Sequence, residues 1–318
     1  MNNNTSAPPG PVARLPAQRT RALLQPILLA ADHLVGYWRS RNDANPRRAR
    51  KAIGRVSPKW RRKIDDVLAC PDNAYIPRVP EAGQLRDGLV TMHNGLQVSA
   101  LGYYGGGVLN MLVENRGVHE PQEERAFGEI LRCLPTRGTM LELGAYWGFY
   151  SMWFARTVAD AACFLVEPSF AALRSGKQNF RRIGRQAHFE QAYVGACDGI
   201  ARDGKPVVSV DGFCRRNRID HLTILHADIQ SAEADMLAGA REMLTHKRVD
   251  YVFISTHANA LHRACLDALA AYEYRILVSV DLDESYAVDG LIVAKCAHIE
   301  QPPALTVSRK PRITHGHG

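Results

Sequence analysis

From about Glu120 onward, short apolar runs alternate with segments whose apolar residues return every three to four positions. That switching between strand-like and helix-like periodicity predicts a βα repeat wound into a parallel sheet. Strands are expected at Met140–Leu143, Ala162–Val166, His188–Tyr193, Leu222–Ala227, Tyr251–Ser255, Arg275–Val280 and Gly290–Ala294. Helices are expected at Pro121–Leu134, Gly148–Val158, Phe170–Arg182, Ala232–Leu244 and Asn259–Tyr272. Seven strands closing in a hairpin give an α/β fold: a doubly wound, mostly parallel, Rossmann-like sheet over residues 120–298.

Upstream the pattern differs. Residues 1–18 are Pro-rich and polar and read as disordered. Helical patterning covers Thr20–Arg39 and Pro58–Leu68, with breaks expected at Asn45-Pro46 and at Cys70-Pro71-Asp72-Asn73. From Ala74 to Met111, β-like runs (Gly88–Met92, Gln97–Ala100) lie between Gly-rich turns, and His93-Asn94-Gly95 suggests a type I′ turn. The expected organisation is an extension over 1–73, a β-rich lead-in over 74–119, the α/β domain, and a flexible tail over 299–318.

Charge sharpens the first boundary. Residues 1–63 hold fourteen Lys/Arg against Asp32 and Asp43, a net of +12, so with +8 overall the remainder carries −4. The basic arm can meet an acidic surface or be a solvated helical extension. Nucleic acid is disfavoured, because aromatic interleaving stops at Trp60 and no binding module is present. Seven scattered cysteines without C-x-x-C spacing point to a reducing compartment, and no leader or apolar span is evident, so a cytoplasmic location is expected.

The strongest chemical signal is Glu142-Leu143-Gly144-Ala145-Tyr146-Trp147-Gly148, an apolar strand entering a Gly-bearing turn and then a helix. Such a turn brings backbone N–H groups and a positive helix end against a ligand. Its Gly-x-x-x-Gly spacing differs from the Gly-x-Gly-x-x-Gly of dinucleotide binders. Glu167-Pro168 ends the next strand, where a carboxylate can hold both hydroxyls of a ribose or cap the following helix.

These residues, with Ala227-Asp228-Ile229-Gln230-Ser231-Ala232-Glu233, His119-Glu120-Pro121 and Phe253-Ile254-Ser255-Thr256-His257, resemble the FkbM-type S-adenosylmethionine-dependent methyltransferases over about residues 120–295. The resemblance implies a class I methyltransferase that uses S-adenosylmethionine to O-methylate a sugar, glycan or related metabolite. It also implies that Glu142, Gly144, Ala145, Tyr146 and Gly148 surround the methionine portion, and Glu167 with Pro168 the ribose. The chain departs from the family where Tyr146 replaces an Asn and His226 replaces a Lys.

In an open α/β sheet the reacting groups belong at the carboxyl ends of the strands. His226, Asp228 and His257 meet that condition, and His119 precedes the first helix; all four are candidate catalytic residues. His226, Asp228 and His257 can act as a general-base set, hold a divalent metal, or be structural. Tyr103, Tyr104, Trp147, Asp281 and Asp283 are candidate substrate contacts. The competing readings are a nicotinamide-dependent oxidoreductase and a non-catalytic cofactor-binding protein; a homo-oligomer is compatible with each.

Overall fold

The computed structural model describes residues 30–311. The expected disordered stretch 1–18, the first half of helix Thr20–Arg39 and the end of the tail lie outside the described residues. Helix α1 occupies residues 30–40. Asn45-Pro46 lies at the expected break: the chain is non-helical over residues 41–45, and extended Asn45 then caps a short helix, α2 (Pro46–Ala52), through Arg48 N–H, with Pro at the first helical position. α3 (Pro58–Ala69) follows, capped by Ser57, and Pro71–Tyr75 forms one 3₁₀ turn.

The lead-in is a three-stranded meander, β1 (Leu85–Arg86), β2 (Leu89–Thr91) and β3 (Gln97–Ser99), followed by α4 (Gly106–Glu114), a helix where β texture was expected. The β2–β3 turn is not type I′. Only Gly95 has positive φ (84°), and Gly95 N–H donates to the Met92 carbonyl, so His93 and Asn94 form an ordinary turn closed by a glycine bulge.

The body runs α5 (Pro121–Cys133), β4 (Arg137–Leu143), α6 (Phe149–Thr157), β5 (Asp160–Val166), α7 (Phe170–Arg182) and β6 (His188–Glu190). The expected strand His188–Tyr193 stops early. Tyr193–Val194 (β7) leaves to join β8 (Gly199–Ile200) and β9 (Pro206–Val208) in a separate small sheet. α8 (Val210–Asn217), β10 (Leu222–Asp228), α9 (Glu233–Ala238), α10 (Arg241–Thr245), β11 (Val249–Thr256), α11 (Asn259–Ala271), β12 (Arg275–Val280) and β13 (Gly290–Lys295) complete it. The expected helix Ala232–Leu244 is two short ones. Gly239 lies between them, where a Cβ would stand 2.5 Å from the Gly195 carbonyl oxygen.

The main sheet has the order β12-β13-β11-β10-β4-β5-β6, parallel except for β13. This is a doubly wound, Rossmann-like α/β fold. Strand residues alternate between two cores: Met140, Phe253 and Val293 face one, and Leu141, Val252 and Ile292 the other. The first core also takes in Val90, Met92, Val98 and Leu109, so the lead-in shares its interior with the body.

Residues 299–311 are not a free tail. Ser308 donates from its backbone N–H and hydroxyl to the fully buried Asp72, which also accepts from Arg125. Gln122 donates to the Ser308 carbonyl, and Lys310 pairs with Asp66 at 2.7 Å. Asp72→Ala strands a guanidinium and two donors, and is expected to cost about 3 kcal/mol. Urea denaturation checks the cost; limited proteolysis should also cut residues 304–311 faster in the variant than in wild type.

Candidate active site

Three backbone residues in the β4–α6 turn are left-handed: Gly144 (φ 71°), Tyr146 (φ 42°) and Gly148 (φ 73°). The turn packs hard against its surroundings. A Cβ on Gly144 would lie 1.8 Å from the Asp228 carbonyl oxygen, and one on Gly148 would lie 2.9 Å from Leu165 Cδ2. Gly144 is therefore demanded by the backbone of β10, and Gly148 by its left-handed conformation, before any ligand is considered.

Glu167 is 6% exposed and sits at the tip of β5, beside this turn. It accepts from Tyr146 N–H (3.1 Å) and Ser169 N–H (2.7 Å), so it braces the turn and the start of α7 together. Burial lifts its carboxyl to about 7 despite those two donors. Gly144, Tyr146, Glu167 and Pro168 line an open cavity of about 280 Å³, closed on the far side by Asp228, Ile229 and Gln230.

A second cavity of about 200 Å³ lies next to it and shares Tyr104, Asp228 and Gln230. Trp60, Lys63, Tyr103, His119, Glu120 and Asp289 are among its walls. Together the two cavities approach the size of small-molecule sites. Tyr103 stacks on Trp147 with ring centroids 4.8 Å apart and meets Tyr146 edge-on.

Asp228, His257 and Asp289 converge where three strands meet. In register, Asp228 faces Ser255 and Thr256 faces Gly290, which brings the end of β10, the residue after β11 and the residue before β13 together. His257 Nε2 is 3.3 Å from Asp228 Oδ1 and 3.5 Å from Asp289 Oδ1, while Nδ1 pairs with the fully buried Glu233. Burial works against the charged imidazole, but Asp228 and Glu233 outweigh it and lift His257 to about 10. Burial also raises Asp289 to about 6, with His257 opposing.

A buried relay flanks the second cavity. Glu124 accepts from the backbone N–H groups of His119 (2.8 Å) and Glu120 (3.0 Å), and pairs with His119 Nδ1 at 2.6 Å and His93 Nε2 at 3.1 Å. Tyr150 donates to Glu120 Oε2 at 2.8 Å. Burial raises Glu120 to about 8.

Several expected site residues stand elsewhere. His226 does not join Asp228 and His257; it is buried, 2.7 Å from Glu123 Oε1 and against Tyr150, because its strand position points it into the helix-covered core. Glu142 and Ala145 line neither cavity. Glu142 instead accepts from Ser151 N–H at 3.0 Å, bracing the first turn of α6, and the Ala145 N–H donates to the Val166 carbonyl. Trp147 is 3% exposed and serves as the floor beneath Tyr103. Asp281 and Asp283 are not at the cavities: Asp281 accepts from Asp283 and Glu284 N–H groups, and Asp283 from Asn259, so both shape their loop.

The residues overlooked are Asp289 and Glu233. A signal for Asp289 was present. The last strand runs antiparallel, so its entry, unlike that of its neighbours, falls at the carboxyl edge of the sheet.

No protein-family model and no curated protein matches the sequence. Among solved structures, the chain is similar to a ribosomal protein L11 methylase from Lactobacillus delbrueckii subsp. bulgaricus, at 13% identity and TM-score 0.39 over 57% of this chain and 81% of that one. It is also similar to a precorrin-6y C5,15-methyltransferase from Geobacter metallireducens, at 11% identity and TM-score 0.38 over 54% and 87%. A third is M. capricolum TrmK in complex with S-adenosylhomocysteine, at 11% identity and TM-score 0.37 over 55% and 71%. These likenesses extend to about half the chain; its own strand order and crevice carry the reading of the site. Among the described residues, no helix is long and apolar enough to cross a membrane.

Proposed function

We propose that the protein is an S-adenosylmethionine-dependent O-methyltransferase of the FkbM type, acting on a hydroxyl of a sugar, glycan or related metabolite. The observation that supports this most directly is the pair of adjoining cavities. One is floored by the left-handed turn and Glu167, the other is walled by Trp60, Tyr103 and Tyr104, and Asp228 and Gln230 belong to both. In the first, Glu167 would hold the ribose of the cofactor while Gly144 and Tyr146 lie along the rest of the molecule. In the second, aromatic faces can stack on a sugar ring while Glu120, Asp228 and Asp289 accept from its hydroxyls.

The cofactor supplies a methyl group on a positively charged sulfur. The chain's own task is to align the acceptor oxygen opposite the sulfur–carbon bond and to accept the hydroxyl proton. On transfer the S–CH₃ electron pair would return to sulfur as the O–CH₃ bond formed, and the hydroxyl proton would pass to a cavity carboxylate. Ionised Glu120, made a stronger base than an ordinary carboxylate by its raised pKa and backed by Tyr150 and His119, is suited to that last role.

Calorimetric titration with S-adenosylhomocysteine tests the first cavity. Ribose hydroxyls donate, so binding favours ionised Glu167, whose carboxyl stands near 7. Affinity is expected to rise about tenfold between pH 6 and pH 8. Glu167→Gln should bind weakly with a flat profile. An affinity independent of pH, or NADH competing with S-adenosylhomocysteine, would count against the proposal. An acceptor screen across sugars with labelled methyl donor then tests the second cavity.

A further inference from the structure

We infer that Asp228, His257 and Asp289 form a binding site for an oxygen-preferring divalent cation of the magnesium or manganese kind. Their ligand atoms all lie within 4.8 Å of one another. His257 Nε2 stands 3.3 and 3.5 Å from the two aspartate oxygens, longer than the 2.7–2.9 Å of charge-assisted hydrogen bonds. Ligand atoms held 2.1–2.5 Å from one octahedral ion lie about 3.0–3.5 Å apart, which is the spacing of His257 Nε2 to each aspartate oxygen.

Two further observations point the same way. Asp228 Oδ1 is shielded from solvent yet has no hydrogen-bond donor, although it is one of the three converging atoms. Glu233 is fully buried and takes Nδ1 of His257, so that Nε2 faces both aspartates and the Gln230 amide 2.8 Å away, which an entering ion would displace. A carboxylate holding the far nitrogen of an imidazole is the usual support of a metal-ligating histidine. Two carboxylates and one imidazole leave coordination positions for water or a substrate oxygen, as suits magnesium or manganese.

The place of the cluster says what the ion does. Asp228 lines both cavities and Asp289 lines the second, so a cation there sits at the junction of cofactor and acceptor. It would bind the acceptor hydroxyl and lower its pKa, easing proton loss to Glu120. This role rests on the methyltransferase reading; the binding of the ion does not.

Manganese(II) binding to the full chain, followed by loss of the free-ion electron paramagnetic resonance signal, tests the inference. One saturable site per chain is expected. Its affinity should fall at least about tenfold in Asp289→Asn and in His257→Asn, the loss that follows from removing one of three ligands. His226→Asn, which leaves the cluster intact, should bind as wild type. Absence of saturable binding overturns the inference, as does unchanged affinity in Asp289→Asn or a loss confined to His226→Asn. Titration with S-adenosylhomocysteine on the same samples separates the two ideas: cofactor binding without manganese binding sinks only the metal site, and the converse sinks only the methyltransferase reading.

Discussion

Gly144→Ala is expected to lose more than about 4 kcal/mol of folding stability, a large share of the roughly 5–15 kcal/mol that holds a typical domain folded. The added carbon would stand 1.8 Å from the Asp228 carbonyl oxygen, a contact with backbone that no rotamer can relieve. The tips of β4 and β10 would have to separate, which spoils both cavities as well as the core. Gly184→Ala supplies the control. Gly184 has a similar left-handed φ of 65° with nothing within 4 Å of the added carbon, so only backbone strain of about 1–2 kcal/mol is expected. Urea denaturation of the two variants measures the difference. Equal losses would show that the close approach to Asp228 is not what requires a glycine here.

Glu124→Gln is expected to cost about 3–5 kcal/mol near pH 5.5, because it strips the buried, protonated His119 of a counter-charge, while burial pushes His93 beside it toward its neutral form. The pH dependence follows from both partners. Burial would raise the Glu124 carboxyl, but His119 and His93 draw it down to about 2 from an ordinary 4.5. Its contribution is whole above pH 4.5 and disappears as pH falls toward 2. Burial would lower His119, but Glu120 and Glu124 lift it to about 9 from 6.5. Its contribution is whole below pH 6.5 and is lost as pH rises through 9. The gap between wild type and Glu124→Gln should therefore peak between about pH 4.5 and 6.5 and narrow on both sides. Denaturation midpoints at pH 3, 5.5 and 9 check this; a gap that widens at pH 9 would contradict it.

The seven strands were legible because each is a short apolar run bounded by a helical period, and β4, β10, β11 and β13 are buried along most of their length. The elements misread depend on partners distant in sequence. Tyr193–Val194 leaves the main sheet because Val207–Val208 pairs with it, a choice local pattern cannot encode. Helix α4 hides behind a run of glycines whose smallness serves packing: a Cβ on Gly107 would meet the Trp60 ring at 2.2 Å.

The site was half legible for a similar reason. Period two correctly puts His226 and Asp228 on one side of β10. It says nothing of where the sheet ends and α5 begins to cover it, and that depth separates His226, buried against Glu123, from Asp228 at the open edge. Asp228 and His257 were in view because they follow parallel strands, whereas Asp289 precedes a strand of opposite direction.

Asp72 acquires its last two donors from Ser308, 236 positions further along the chain. During synthesis from the amino terminus, that buried carboxylate and its arginine wait until nearly all of the β-sheet has already been made. Closure of this seam is thus a late event of assembly on the ribosome. A released chain ending before Ser308 should carry a complete sheet with an unsealed side, open to chaperones at that place.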